Sequence, residues 1–516
     1  MSKKTTRKSP AKKKPTSKAS PIVKKPVKKK PVAAKAAAKP ASRKVAAKKL
    51  VTRKPPPKKP PLASGGRGSD PTKHVIVVPP PLAASAAMMG GSALRRGGMM
   101  GVAGVGDGAG SLRSVLDSTR QSLLAFAASA LGGGDGIGMM GVAGGAAPLR
   151  RGARAPAPAA APKHVQALEA LGVLVVDKSK VDVRALADQG ATIIENFLVP
   201  MELPKPAGKA KSAAGAAASG TPWHLSSINV SAARAKNLTG KDILVGVLDT
   251  GVEKGHGEFK GKKVHYAEFD TAGKLVSKTA RDFGEHGTHV CGLIAGKTVG
   301  VAPDAQLAVA AVLTVSTPKG LSGYLAQILG GMNWLLSTPF TGDEDNPGVD
   351  VMNASLGGVG YSAFYYQTLQ NARAITGTLL AAAIGNNGRQ GINHHGSPGN
   401  YDITVGVGAI DQNNDIASFS DWGTVAQHAN RTKPDICAPG VAVTSSVPGN
   451  KYAQMSGTSM ATPVTTGALA LLLEQNPQLD VNASALETAL YSHVSALTGA
   501  ANTPRGGRGR LDLTHI

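Results

Sequence analysis

The 516-residue chain carries 59 Lys and Arg against 32 Asp and Glu, a formal charge of +27, with 64 Gly, 34 Pro and only 4% aromatic residues. Length allows two to four domains, but 23 of the basic residues and no acidic one fall in residues 1–60, so a basic tail is joined to a nearly neutral body. Two distant cysteines, Cys291 and Cys437, exclude a disulfide framework. No apolar run of 18 residues predicts a membrane helix, and no apolar core follows the basic start as a secretory signal requires. The expectation is a cytoplasmic or other intracellular protein with no membrane partner, non-classical export being the alternative.

Residues 1–72 read as a disordered Lys/Pro/Ala tail, because its charges repel and it has too little apolar surface to offset ordering. Such a tail binds nucleic acid non-specifically by counterion release through residues 1–60, or serves only to solubilise or target, and both readings stay open. Residues 73–163 are a Gly/Ala/Met-rich insert that opens with a β-like run, Lys73 to Val78. Within it Gly98-Met99-Met100-Gly101-Val102-Ala103-Gly104 recurs unchanged from Gly138 to Gly144, and Leu94-Arg95-Arg96-Gly97 recurs from Leu149 to Gly152. Two copies are too few for a solenoid. Between them, Leu112, Val115, Leu116, Leu123 and Leu124 behind Ser111 predict a capped helix. Residues 164–203 read as a small α+β unit with helices over Val165–Leu171 and Val183–Ala187 and strands over Val173–Val176 and Ala191–Val199. Residues 204–222, rich in Lys, Ala and Gly, read as an exposed, cleavable linker.

From residue 223 to 516 the pattern is that of one compact α/β domain. Apolar runs at Ile243–Leu248, Leu307–Leu313, Val349–Met352, Thr378–Ala383 and Ile403–Val407 alternate with helical segments such as Tyr324–Ser337. Short, continuously apolar strands between helices predict a doubly wound parallel sheet with helices on both faces. The first run ends in Asp249-Thr250-Gly251, which puts a carboxylate at the carboxyl end of a buried strand, where open α/β sheets hold their ligands; a simple turn cap is the plainer reading. His286-Gly287-Thr288-His289-Val290-Cys291-Gly292 opens a small-residue helix, with one exposed catalytic histidine and a structural neighbour fitting better than a metal pair, because no glutamate follows the first histidine. Cys291 fits apolar packing better than nucleophilic duty. Gly457-Thr458-Ser459-Met460-Ala461-Thr462-Pro463 suits a nucleophile held on a turn before a buried helix, or an ordinary helix cap.

Together these motifs, in the order acid, base, nucleophile, resemble the subtilisin-like (S8) serine proteases over roughly Trp223 to Asp512. His256-Gly257-Glu258-Phe259 and Gly507 to Asp512 add to the likeness. The resemblance implies a subtilisin-like fold behind a small α+β prodomain. It implies a serine endopeptidase hydrolysing peptide bonds of protein or peptide substrates, with Asp249, His286 and Ser459 as the triad and Asn386 as the oxyanion donor. It places Ser355, Leu356, Gly357, Ala383, Gly385 and Gly396 at the first specificity pocket, and Gly320–Gly323 as an edge strand for extended substrate. It implies a zymogen whose residues 164–203, with or without Lys73–Val78, act as an inhibitory propeptide released by cleavage between Leu203 and Pro222. No cofactor is expected, and the tight calcium site of some relatives is expected to be absent, because Gly296-Lys297-Thr298-Val299-Gly300 replaces their Asn-rich loop. The competing reading is a nucleic-acid-binding or scaffold protein with an inactive protease-like domain, which rests on the tail alone.

Overall fold

The computed structural model describes residues 70–80, 111–131, 162–199, 204, 211–212, 221–497 and 504–516. The basic tail, the repeated Gly/Met motifs and most of the linker lie outside these residues.

The N-terminal described part is an antiparallel sheet in the order β2-β3-β1-β4, made of β1 (His74–Val78), β2 (Val165–Leu168), β3 (Val173–Asp177) and β4 (Thr192–Glu195). Two helices accompany it, α1 (Leu112–Ala130) and α2 (Val183–Asp188). Alternation along the strands sorts their side chains between two faces. Val75, Val77, Leu174 and Val176 pack with Leu123 and Ala127 of α1 and Leu186 of α2. Ile76, Val173 and Val175, with Leu112 and Leu116 of α1, join the core of the large domain. Ser111 caps α1, its Oγ accepting from the Ser114 amide at 3.3 Å.

This corrects the expected boundaries in three places. The run at 74–78 and the helix at 112–130 are not parts of a separate insert, because β1 is the inner strand between β3 and β4 and α1 covers the same sheet. Val165–Leu171 is not a helix. Its first four residues pair with β3 from Val165↔Val176 to Leu168↔Val173, and the hairpin closes through Gly172 at φ +67. Cross-strand pairing thus overrides local helical preference. The expected strand Ala191–Val199 is split into β4 and β5 (Leu198–Val199), because Asn196 turns inward. Its Nδ2 donates to Thr271 O at 2.8 Å, and its Oδ1 accepts from Ala326 N at 2.9 Å.

The large domain is built on a ten-stranded sheet. Eight parallel strands run in the spatial order Arg510–Leu511, Ile436–Pro439, Val405–Ile410, Leu379–Ala383, Val351–Ala354, Leu244–Asp249, Gln306–Ala311 and Val264–Phe269, flanked by antiparallel edge strands Val494–Ser495 and Leu275–Ser277. The chain-order reversal lies beside Leu244–Asp249, which pairs with Gln306–Ala311 on one side and Val351–Ala354 on the other. A crevice at the carboxyl ends of the strands is expected there. Val245 and Val247 face helices α3 (His286–Ala295) and α6 (Thr458–Gln475), whereas Leu244 and Leu248 face α4 (Leu325–Ser337) and α5 (Ala363–Thr376). Both sheet faces are therefore covered, which is why these strands read as continuous apolar runs.

The N-terminal sheet is docked by polar contacts as well as apolar ones. Asn333 Oδ1 accepts from Ala170 N at 2.9 Å, and Asn371 Nδ2 donates to Leu171 O at 3.2 Å. Leu198 and Val199 of β5 pair antiparallel with Tyr324 and Gly323 in the strand Gly320–Tyr324. Further on, β6 (Lys211–Ser212) pairs antiparallel with Tyr452 and Lys451 of the strand Lys451–Met455. Between the two, Pro204 lies against Gly457, where an added Cβ would come within 2.5 Å of the proline Cγ.

Candidate active site

Asp249 closes the buried strand Leu244–Asp249 and is fully buried. Thr250 N donates to its Oδ1 at 2.7 Å. His286 Nδ1 stands 2.8 Å from Oδ1 and 3.0 Å from Oδ2. A carboxylate only accepts, so Nδ1 carries the proton and Nε2 offers a lone pair. That Nε2 is buried and has no partner among the described residues. His286 is 3% exposed rather than the exposed residue expected, because α3 begins inside the domain and is buried from His286 to Ala295.

Asp282 joins the two elements that carry this pair, and local sequence did not single it out. Its Oδ1 accepts from Thr250 Oγ1 at 2.6 Å and Gly284 N at 3.0 Å, and its Oδ2 from Thr288 N at 2.7 Å and Thr288 Oγ1 at 2.6 Å. Thr250 Oγ1 in turn accepts from Gly287 N at 2.9 Å. A carboxylate that accepts from Thr288 N, in the first turn of α3, also complements the helix dipole.

Ser459 is the second residue of α6, which runs unbroken from Thr458 to Gln475. Met460–Pro463 is thus helix and not the expected turn. Pro463 fits because its missing N–H leaves the carbonyl of Ser459 without its i+4 donor. Ser355 Oγ takes that place, donating to Ser459 O at 2.9 Å. Ser459 Oγ donates to Ser355 O at 3.2 Å in return, so the hydroxyl rests on this carbonyl and not on His286. Asn353 Nδ2 donates to Ser355 Oγ at 3.0 Å, and Thr466 Oγ1 donates to Asn353 Oδ1 at 2.9 Å, extending the network beneath Ser459. Register places Asp249 beside Ser355, the residue that holds Ser459: Leu248 pairs with Ala354, the residue before Ser355.

Asn386 follows the strand Leu379–Ala383, and its Oδ1 accepts from Thr458 N at 2.8 Å and Thr458 Oγ1 at 3.1 Å. This fixes the amide so that Nδ2 is the end left to donate. Ser355, Leu356 and Gly357 follow the neighbouring strand, and Ala383 and Gly385 flank Ile384, whose carbonyl accepts from Gly396 N at 2.9 Å. Gly396 pairs with Val359 in a two-stranded ladder. A Cβ there would meet Gly358 O at 2.6 Å, so only glycine fits. The expected pocket segments thus meet at the carboxyl ends of two adjacent strands.

His289 packs as a structural residue. Its Nε2 contacts Val443 O and Ala453 O at 3.1 Å each, and burial lowers it to about 3, so it stays neutral. Cys291 and Cys437 are buried free thiols, and burial raises Cys291 well above the ordinary thiol range and Cys437 to about 12. Neither is a thiolate at neutral pH. Among the described residues no group of three or more His, Cys, Asp or Glu is arranged to hold a metal ion.

Residues 240–507 match the family model of the subtilase family (peptidase S8). Subtilisin Savinase of Lederbergia lenta is 37% identical over 269 residues, covering 50% of this chain and 87% of its own length. M-protease of Shouchella clausii (strain KSM-K16) is 34% identical over 305 residues, covering 57% of this chain and 69% of its own. A solved structure described as a cold adapted subtilisin-like serine proteinase shares 30% identity at a TM-score of 0.43, covering 54% of this chain and 89% of that one. With the family model spanning more than half of its length over the sheet that carries Asp249, His286 and Ser459, the chain belongs to the subtilase family and is a serine endopeptidase.

Proposed function

We propose that Ser459 attacks the peptide carbonyl, that His286 takes its proton through Nε2 and returns it to the leaving amine, and that Asp249 holds the ring in that tautomer and stabilises its charged form. The observation that carries this is the Asp249–His286 Nδ1 pair, which leaves a buried Nε2 without a partner among the described residues. The reaction requires the Ser459 hydroxyl to leave the Ser355 carbonyl, on which it rests at 3.2 Å, and turn to that nitrogen. Nδ2 of Asn386 donates to the oxyanion, its other end being held by Thr458. Substrate binds extended along Gly320–Tyr324, as Leu198 and Val199 of the chain itself do. Ser355–Gly357, Ala383, Gly385 and Gly396 wall the first specificity pocket.

The chain is made as a zymogen, and its N-terminal sheet is the propeptide. Pairing of β5 with the strand Gly320–Tyr324 and of β6 with Lys451–Met455, with Pro204 against Gly457 two residues before Ser459, supports a propeptide held at the active-site cleft. Cleavage falls between Leu203 and Pro222. No cofactor takes part in these steps. The family's tight calcium site is absent on this reading, because Gly296-Lys297-Thr298-Val299-Gly300 stands in place of the Asn-rich loop of relatives that carry it. The test is to express the full chain beside Ser459→Ala: wild type converts from 52.2 kDa to a form of roughly 30 kDa, scaled from domain size, and the variant stays intact. Conversion of the variant by itself overturns autoprocessing.

A further inference from the structure

The carboxyl of Asp421 is buried in the large domain, plays no part in the triad, and lies against the segment that carries Asn386. The residue is 0% exposed. Its Oδ2 accepts from Asn387 N at 3.0 Å and Asn387 Nδ2 at 3.4 Å, while its own N–H donates to Gly385 O at 3.1 Å. One residue away, Gly388 N donates to Phe419 O at 2.8 Å. Residues 419–421 are thus fastened to both neighbours of Asn386. Gly385 permits the approach: its φ is +119, and a Cβ would stand 2.2 Å from Asp421 Oδ2. Oδ1 of Asp421 is buried with no partner among the described residues. A buried carboxyl with one oxygen unsatisfied costs stability, so a fold that keeps one calls for a reason other than packing.

We propose that Asp421 is a positioning residue of the oxyanion hole, gripping Gly385 and Asn387 so that the Asn386 amide between them points at the developing charge. Asn386 is then held at three places: Thr458 fixes its side chain, and Asp421 fixes the backbone before and after it. An oxyanion donor is effective only when it is aimed before the charge appears, and a displacement of about 1 Å costs on the order of 100-fold. The inference rests on the oxyanion role given to Asn386.

The test is a double-mutant cycle on self-processed enzyme, with active sites counted by fluorophosphonate so that misfolded molecules drop out, and with kcat and KM read on one peptide substrate. Asn386→Ala is expected to lose about 100- to 1000-fold in kcat, a magnitude known from subtilisin itself rather than worked out from this structure. Asp421→Ala is expected to lose about 10- to 100-fold in kcat with KM within about threefold. Asp421→Asn, whose amide oxygen can accept both Asn387 donors, stays within about threefold of wild type. In the Asn386→Ala background, Asp421→Ala adds less than about threefold, because the group it aims is gone. Asp421→Ser, too short to reach the Asn387 amide, carries the same expectation as alanine should the alanine variant yield no folded enzyme. If alanine and serine both keep wild-type kcat while Asn386→Ala is crippled, or if the Asp421 loss is undiminished in the double variant, the inference is wrong. If Asn386→Ala itself keeps wild-type kcat, the oxyanion reading fails instead.

Discussion

Removing the carboxylate of Asp282 should disturb both the fold and the catalytic pair, although the residue reaches neither Asp249 nor His286 directly. Asp282→Ala withdraws the acceptor of four hydrogen bonds, from Thr250 Oγ1, Gly284 N, Thr288 N and Thr288 Oγ1. Thr250 and Thr288 are fully buried, so water cannot replace the lost partner without the site opening. Leaving one donor on each of these two threonines unsatisfied at about 1–3 kcal/mol gives a loss of about 2–6 kcal/mol. For a domain of this size that is a fall in Tm of about 4–24 °C, at roughly 2–4 °C per kcal/mol. Thr250 follows the acid and Thr288 lies two residues past the histidine, so relaxation there also shifts Asp249 against His286, and kcat should fall about 10-fold or more. Thermal unfolding of the processed enzyme and kcat per fluorophosphonate-titrated site are the assays. A variant with Tm within about 2 °C and kcat within about twofold of wild type refutes the reasoning.

Two further outcomes follow from burial. Burial raises Asp421 from its usual 3.8 to about 6, with His394 the titratable group whose charge opposes the shift. The folded state therefore holds a proton that the unfolded state has released. The stability Asp421 contributes is complete below about pH 4 and is lost as pH rises through about 6, by at most about 3 kcal/mol. Urea unfolding of wild type against Asp421→Asn across pH 4 to 7 should show that difference growing with pH; a constant difference contradicts it. Leu116 of α1 is 1% exposed in the core shared by the N-terminal sheet and the large domain. Leu116→Ala should weaken that docking by about 2–5 kcal/mol and cut the yield of processed enzyme, while kcat per titrated site is unchanged; equal yields show that α1 does not support maturation.

The strands of the large domain were legible because two-sided burial demands unbroken apolar runs, and Leu244–Asp249, Leu379–Ala383 and Val405–Ile410 all carry them. The motif residues were legible because Asp249, His286 and Ser459 each sit at the end of a strand or the start of a helix, where sequence patterns change. What sequence did not reveal depends on distant partners. Val165–Leu168 is strand only because β3 pairs with it, and β1 is an inner strand only because β3 and β4, separated from it by the repeated Gly/Met segment, close on either side. Asp282 and Asp421 look like loop acids, and their importance lies in Thr250, Thr288, Gly385 and Asn387, up to 36 positions away. Pro463 misleads locally, since proline usually ends a helix, yet here the freed carbonyl of Ser459 has its donor in Ser355.

The most direct test of the central claim is covalent labelling of the processed enzyme with a fluorophosphonate, followed by peptide mass mapping. One adduct per molecule is predicted on Ser459, abolished by heating and by His286→Ala, a variant that cannot process itself and is cut in the linker by an added protease, because only a serine activated by the buried Nε2 reacts. Absence of any adduct on Ser459, or equal labelling after His286→Ala, contradicts it.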